Sequence, residues 1–188
     1  LGIEEMLITQ RGDLWFSTKS NNLFLFREGI LQELTKKFEV EKSTILSIVE
    51  DFNGNVFFGT DDSRFLKYTA DGSVINYALD KEINGVNSMI YSRGLIYMGT
   101  GNGLFIWDGT ELISSSILKN TTINSLLFDE QKNLWLGTME GLFRFDQSTS
   151  NLDSLTEESG MPSNIVEDLI FDNEGNLWVG TYRSGMFF

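Results

Sequence analysis

The chain has 188 residues, 41% of them hydrophobic, which is enough apolar material for a large core and unlike the composition of a disordered segment. Its 14 Lys and Arg against 27 Asp and Glu give a net charge of -13, and the basic residues are scattered singly, which opposes nucleic acid and acidic membrane surfaces as partners. Cysteine and histidine are both absent, so disulfides, thiolate metal sites and histidine-based catalysis are excluded; a cysteine-free chain suits cytoplasm and periplasm equally.

Read from its start, "LGIEEMLITQ" (1–10) lacks the basic opening and long apolar centre of a signal peptide, and no later stretch reaches the length of a membrane span, so no membrane insertion is expected. The chain then repeats one order of segments. A half-alternating strand ends in a turn, an aromatic run closes on Gly-Thr or Ser-Thr, a loop leads to a third strand, and a weaker polar strand follows. The first repeat runs through "EMLITQRGD" (5–13), "LWFST" (14–18) and "NLFLF" (22–26), with Ser17 where the others have glycine. The second has "ILSIVEDFNGN" (45–55), "VFFGT" (56–60), "RFLKY" (64–68) and "SVINYAL" (73–79). The third has "VNSMIYSRG" (86–94), "IYMGT" (96–100), "GLFIW" (103–107) and "TELISSSIL" (110–118). The fourth has "INSLLFDEQKN" (123–133), "LWLGT" (134–138) and "GLFRF" (141–145); the fifth has "VEDLIFDNEGN" (166–176), "LWVGT" (177–181) and "GMFF" (185–188), with no fourth strand after it. Thr18, Thr60, Thr100, Thr138 and Thr181 mark a period of roughly 40 residues. The repeats therefore lie at approximately 3–42, 43–83, 84–121, 122–162 and 163–188 of a single region, 1–188.

Links this short suit antiparallel hairpins and leave no room for parallel crossovers. Asp51, Asp129 and Asp172 can open the first turn by accepting from backbone amides two or three residues on, and Gly12, Gly54, Gly94 and Gly175 supply the positive φ it needs. A calcium loop in "DFNGN" or "DNEGN" is disfavoured, because the glycine falls early and no bidentate Glu follows. In "LWLGT", Leu134 and Leu136 share one face and Trp135 takes the other, so the strand must be covered on both sides. Stacked four-stranded antiparallel sheets satisfy that demand. The fold expected is all-β, a β-propeller of about five repeats with its last blade incomplete. Trp15, Phe57, Tyr97, Trp135 and Trp178 occupy one slot and are read as core, with Gly-Thr letting the chain turn at the crowded rim.

The stretches "SIVEDFNGNVFFGT", "SLLFDEQKNLWLGTMEGLFRFD" and "DLIFDNEGNLWVGTYRSGMFF" resemble the two-component regulator propeller repeat, clearly in the second, fourth and fifth copies and in degraded form in the others. The resemblance implies part of a larger, seven-bladed propeller. It also implies the periplasmic or extracellular sensor part of a membrane histidine kinase, hybrid regulator or cyclase, often reading oligosaccharides.

Function is expected where the repeats differ. Loops from second to third strand, and from each outer strand to the next inner one, gather at one end of a propeller, with the Asp-Gly turns at the other. Arg64, Tyr182, Arg183, Asn21, Asn102 and Asn164 lie in those loops and offer a stacking ring, planar donors and amides suited to an oligosaccharide or another small ligand. No catalytic residue, metal site or cofactor is expected. A streptogramin-lyase-like enzyme shares "NLW"-type turns but depends on a histidine base, and Asp61, Asp62 and Glu140 show no spacing that pairs them. The alternative to a sensor is a protein-binding scaffold. Partners expected besides a ligand are further propeller blades or another copy of the chain.

Overall fold

Each aromatic run becomes the second strand of a small antiparallel sheet, because its side chains are apolar on both faces and need cover on both. A computed structural model describes residues 2–188, and in it the chain is all-β with five blade sheets of the β-propeller fold. The first sheet comprises β1 (Ile3–Ile8), β2 (Leu14–Thr18), β3 (Leu23–Arg27) and β4 (Ile30–Glu33) in that spatial order. The second comprises β5 (Ile45–Glu50), β6 (Val56–Thr60), β7 (Arg64–Tyr68) and β8 (Val74–Ala78). The third is built of β9 (Val86–Ser92), β10 (Leu95–Thr100), β11 (Gly103–Trp107) and β12 (Leu112–Ser114). The fourth follows with β13 (Ile123–Phe128), β14 (Leu134–Thr138), β15 (Leu142–Asp146) and β16 (Asn151–Leu155). The fifth has three strands, β17 (Val166–Phe171), β18 (Leu177–Thr181) and β19 (Gly185–Phe187).

The chain forms two compact units, Leu1–Ile96 and Tyr97–Phe188. In the first unit Trp15 is fully buried, its ring set edge-on to Phe58 at 5.1 Å and to Tyr68 at 4.9 Å. Phe38 closes this cluster from a single helical turn, α1 (Thr35–Phe38), inserted between the first and second blades. Its ring lies 5.0 Å from Phe58. In the second unit Leu142, Met161, Val166, Leu169 and Val179 form the core, with Trp135 and Phe187 packed against it.

The aromatic slot is not uniformly buried. Trp15 and Phe57 are enclosed, whereas Tyr97, Trp135 and Trp178 are half-buried. Trp135 packs against the core of the second unit beside the three-stranded fifth sheet, and Phe188 lies over Trp178, at 4.9 Å between ring centroids.

The turns explain their own residues, with one adjustment of register. Asp51, Asp129 and Asp172 accept from the backbone N–H four residues on, at 2.8–2.9 Å, and from the side-chain amide of the same Asn. Asp51 and Asp172 also accept from the backbone N–H two residues on. The second carboxylate oxygen of Asp129 and of Asp172 receives the indole N–H of Trp135 and Trp178, at 3.0 and 2.9 Å. One acid thus ties turn, Asn and tryptophan together. These bonds hold the Asp172 carboxyl at about 2, well below its usual range, chiefly through the Trp178 and Asn176 donors. In the first blade Thr9 stands at the Asp position, and the buried Trp15 Nε1 has no hydrogen-bond partner among the described residues.

The glycine of Gly-Thr turns out to serve close approach and not a sharp bend. Gly59, Gly99 and Gly137 lie within strands, outside the left-handed region. A Cβ at Gly59 would stand 2.6 Å from Val86 Cγ1, at Gly99 2.7 Å from Ile123 Cγ2, and at Gly137 2.6 Å from Val166 Cγ1. The inner strand of each following blade therefore seats its first β-branched residue directly on the preceding glycine.

Candidate ligand-binding face

The Gly-Thr threonine builds the loop between second and third strands. Thr100 and Thr138 donate their hydroxyls to the carbonyls of Gly103 and Gly141 at 2.8 Å, and Thr181 does the same to Gly185. Thr60 bonds both the N–H and the carbonyl of Arg64. The residue after Thr60, Thr138 and Thr181 then donates its N–H to the segment that enters the inner strand: Asp61 to Thr44, Met139 to Thr122 and Tyr182 to Ile165, at 3.0–3.1 Å. Loop and incoming connection are thereby held side by side at the same end of the blade, opposite the Asp turns.

Within the first unit this architecture gathers Asn21 and Arg64 about the connection 39–44. Asn21 takes a left-handed conformation, φ 59°, and its side-chain oxygen accepts from the Thr44 hydroxyl at 3.3 Å. Arg64 is committed to the scaffold. Its Nε donates to both oxygens of Asp62 at 3.0 and 3.1 Å, one terminal nitrogen donates to the Glu39 carbonyl at 2.9 Å, and the other to the Ser43 hydroxyl. Asp62 also accepts from Thr60 and Ser43. Burial pushes the Asp62 carboxyl up, and the hydrogen bonds from Thr60, Ser43 and Arg64 outweigh that and hold it below the usual range.

In the second unit Asn102 is half-buried, and its backbone N–H is bonded to Thr100 Oγ1. Asn164 and Glu157 clamp each other: the Glu157 N–H donates to Asn164 Oδ1 at 2.7 Å, and the Asn164 N–H donates to Glu157 Oε1 at 3.0 Å. The bond from Tyr182 to Ile165 brings Asn164 next to Tyr182 and Arg183. Those two are exposed, and the Arg183 guanidinium lies 4.8 Å from the centre of the Tyr182 ring. Arg183, at φ 58°, makes no hydrogen bond or ion pair with another described residue. Of the six residues, Arg64 and Asn164 hold loops in place, while Tyr182 and Arg183 present an aromatic face and a planar cation with its donors free.

A larger recess of about 860 Å³ lies at the opposite end, between the Asp turns of the fourth and fifth blades. Trp135, Arg144, Asn133 and Asn173 line it, with Glu130 and Glu174. Arg144 lies opposite Trp135 in the sheet, its guanidinium 5.8 Å from the indole. Sequence pattern alone assigns this end, with its Asp-Gly turns, to the framework. A charged residue stands at one place of the third strand in "GLFRF" and "RFLKY", Arg144 and Lys67, where "NLFLF" and "GLFIW" are apolar, so this pattern alone does not single out the recess.

The family profile described as "two component regulator propeller" matches residues 117–140 and 160–183, so the chain carries two-component regulator propeller repeats in its fourth and fifth blades. No curated protein matches the chain. Among solved structures, the extracellular domains of two hybrid two-component systems of B. thetaiotaomicron superpose with TM-scores of 0.82 and 0.80, at 22% and 21% identity. They cover 98% and 96% of this chain, which spans only 26% of each of theirs. A catalytically inactive histidine-to-alanine variant of virginiamycin B lyase from Staphylococcus aureus, solved with quinupristin, superposes at a TM-score of 0.76 and 16% identity over 98% of this chain and 68% of the lyase. At these identities the likenesses establish the propeller fold. No helix among the described residues is long and apolar enough to cross a membrane.

Proposed function

We propose that these two-component regulator propeller repeats form part of an extracytoplasmic sensor domain of a two-component-type signalling protein, and that its loop end receives a small ligand. The observation that carries this reading is the Tyr182–Arg183 pair: an exposed ring under an unpaired guanidinium, held by the Thr181 clamp beside Asn164. A stacking face beside planar donors is suited to an oligosaccharide, and more so to one bearing carboxylates. The solved B. thetaiotaomicron domains, described as extracellular parts of hybrid two-component systems, support the sensor reading and the location outside the cytoplasm. A lyase activity is disfavoured, since this chain contains no histidine and the staphylococcal lyase whose histidine is replaced by alanine is described as inactive.

The test is calorimetric titration of the chain against neutral and acidic oligosaccharides, with Tyr182→Ala and Arg183→Ala beside the parent. Binding weakened at least about tenfold by each substitution, with unchanged melting temperature, supports the reading. Binding lost on substitution of Arg144 with Tyr182 and Arg183 silent places the site at the opposite end. No binding by any sugar leaves the scaffold role.

A further inference from the structure

We propose that Met139 is an oxidation site, converted by peroxide to one epimer of methionine sulfoxide under the direction of Asn124. The proposal is independent of the ligand reading. Cysteine is absent, so the thioethers are the sulfur groups this chain offers to an oxidant. Met89, Met98 and Met161 are buried, whereas Met139 is 47% exposed on the loop that Thr138 fastens. Its backbone N–H is bonded to the Thr122 carbonyl, so the sulfur is presented from a fixed base. The residue after the loop threonine is Lys19, Asp61, Gly101 or Tyr182 in the other blades, and a sulfur stands there in the fourth alone.

Asn124 reaches that sulfur because of a local irregularity in β13. The register of β13 against β14 shifts between Ile123 and Ser125, and a residue at such a place leaves the ladder and has its side chain re-aimed. Asn124 Nδ2 donates to the Val166 carbonyl at 2.8 Å and stands 3.7 Å from the Met139 sulfur. An amide carries two N–H groups, so the bond to Val166 anchors it while the other hydrogen serves the thioether.

A thioether sulfur has two lone pairs, and oxygen added to one or the other gives opposite epimers. With the amide on one lone pair, the other is left for the oxidant. The S–O bond forms there as the O–O bond of the peroxide breaks. Sulfur loses two electrons, and the leaving hydroxide takes the proton of the transferred oxygen and departs as water. A polar acceptor then replaces an apolar sulfur beside Glu140, with no change in net charge. Met6 on β1 and Met186 on β19 are exposed too, and their sulfurs make no hydrogen bond with another described residue, which makes them internal controls.

The test treats the intact chain with a rising dose of hydrogen peroxide, digests it, and maps the peptides by mass spectrometry. Met139 should oxidise at least about tenfold faster than Met89, Met98 and Met161. The released Met139 peptide is then given to methionine sulfoxide reductases of the two opposite epimer specificities. One should clear most of its sulfoxide and the other little, while at Met6 and Met186 the two should clear comparable shares. Asn124→Ala, and Asn124→Asp, which keeps the shape without the N–H groups, should bring Met139 to comparable shares as well. Either variant decides the matter if the other fails to fold, as judged by its melting curve. Met139 oxidising no faster than the buried methionines, or equal clearance of its sulfoxide by both reductases in the parent, would overturn the proposal. So would an epimer excess that persists in the folded variants, which would take the direction away from Asn124.

Discussion

Gly59→Ala adds one methyl group where the backbone conformation admits any residue, so its cost is steric alone. The new Cβ would meet Ser47 Oγ at 2.5 Å, Val86 Cγ1 at 2.6 Å and Val86 Cβ at 2.7 Å. Val86 Cβ is fixed to its backbone, so relief requires β9 to retreat, and retreat stretches the 3.0 Å bond from the Ser47 hydroxyl to the Val86 carbonyl. Overpacking of this kind costs about 1–3 kcal/mol, which for a chain of this length lowers the melting temperature by roughly 2–12 °C. Gly180→Ala is the matched control. It meets nothing within 3.6 Å, and by restricting the unfolded chain it should stabilise by about 0.4–1 kcal/mol. Thermal melts followed by circular dichroism, run dilute, separate the two. Variants that melt within a degree of each other would refute the claim that these glycines exist for blade-to-blade approach.

Trp15→Ala should cost about 3–5 kcal/mol, since it empties a fully enclosed site between Phe58 and Tyr68, whereas Trp178→Ala, half-buried, should cost about 1–2 kcal/mol. Urea titration of both variants checks the ranking, and equal losses would contradict it. The Asp172 carboxyl sits at about 2 against an ordinary 3.8, a folded value below the unfolded one. Its contribution is therefore present above about pH 4 and is lost as pH falls toward 2. Asp172→Asn should flatten the fall of the urea midpoint across that window relative to the parent, and parallel profiles would show that the Trp178 and Asn176 bonds contribute nothing.

Much of the architecture was legible because propeller blades advertise themselves through short-range pattern. Apolar runs with no polar face demand cover on both sides, and turn acids recur at one place relative to Trp135 and Trp178. What the pattern hid depends on neighbours distant in sequence. The role of Gly59 could not be read from "VFFGT", since its reason is Val86. Phe38 sits in a polar connection, "TKKFEV", and only the tertiary contact with Trp15 and Phe58 explains an aromatic residue there. The half-burial of Trp178 reflects what packs on its blade, which no local motif encodes. At the candidate site, residue type could not separate Arg64, locked to Asp62, Ser43 and Glu39, from Arg183, which is free.

The threonine clamps have a consequence for how such a protein can change. Each hydroxyl holds the carbonyl of the glycine that closes its loop, so the residues between carry little responsibility for keeping the hairpin closed. "TGNG", "TMEG" and "TYRSG" already show three different contents on one fastening. Recognition can therefore be rewritten one blade at a time, by exchanging or lengthening a single loop behind its threonine, without renegotiating the sheet that bears it.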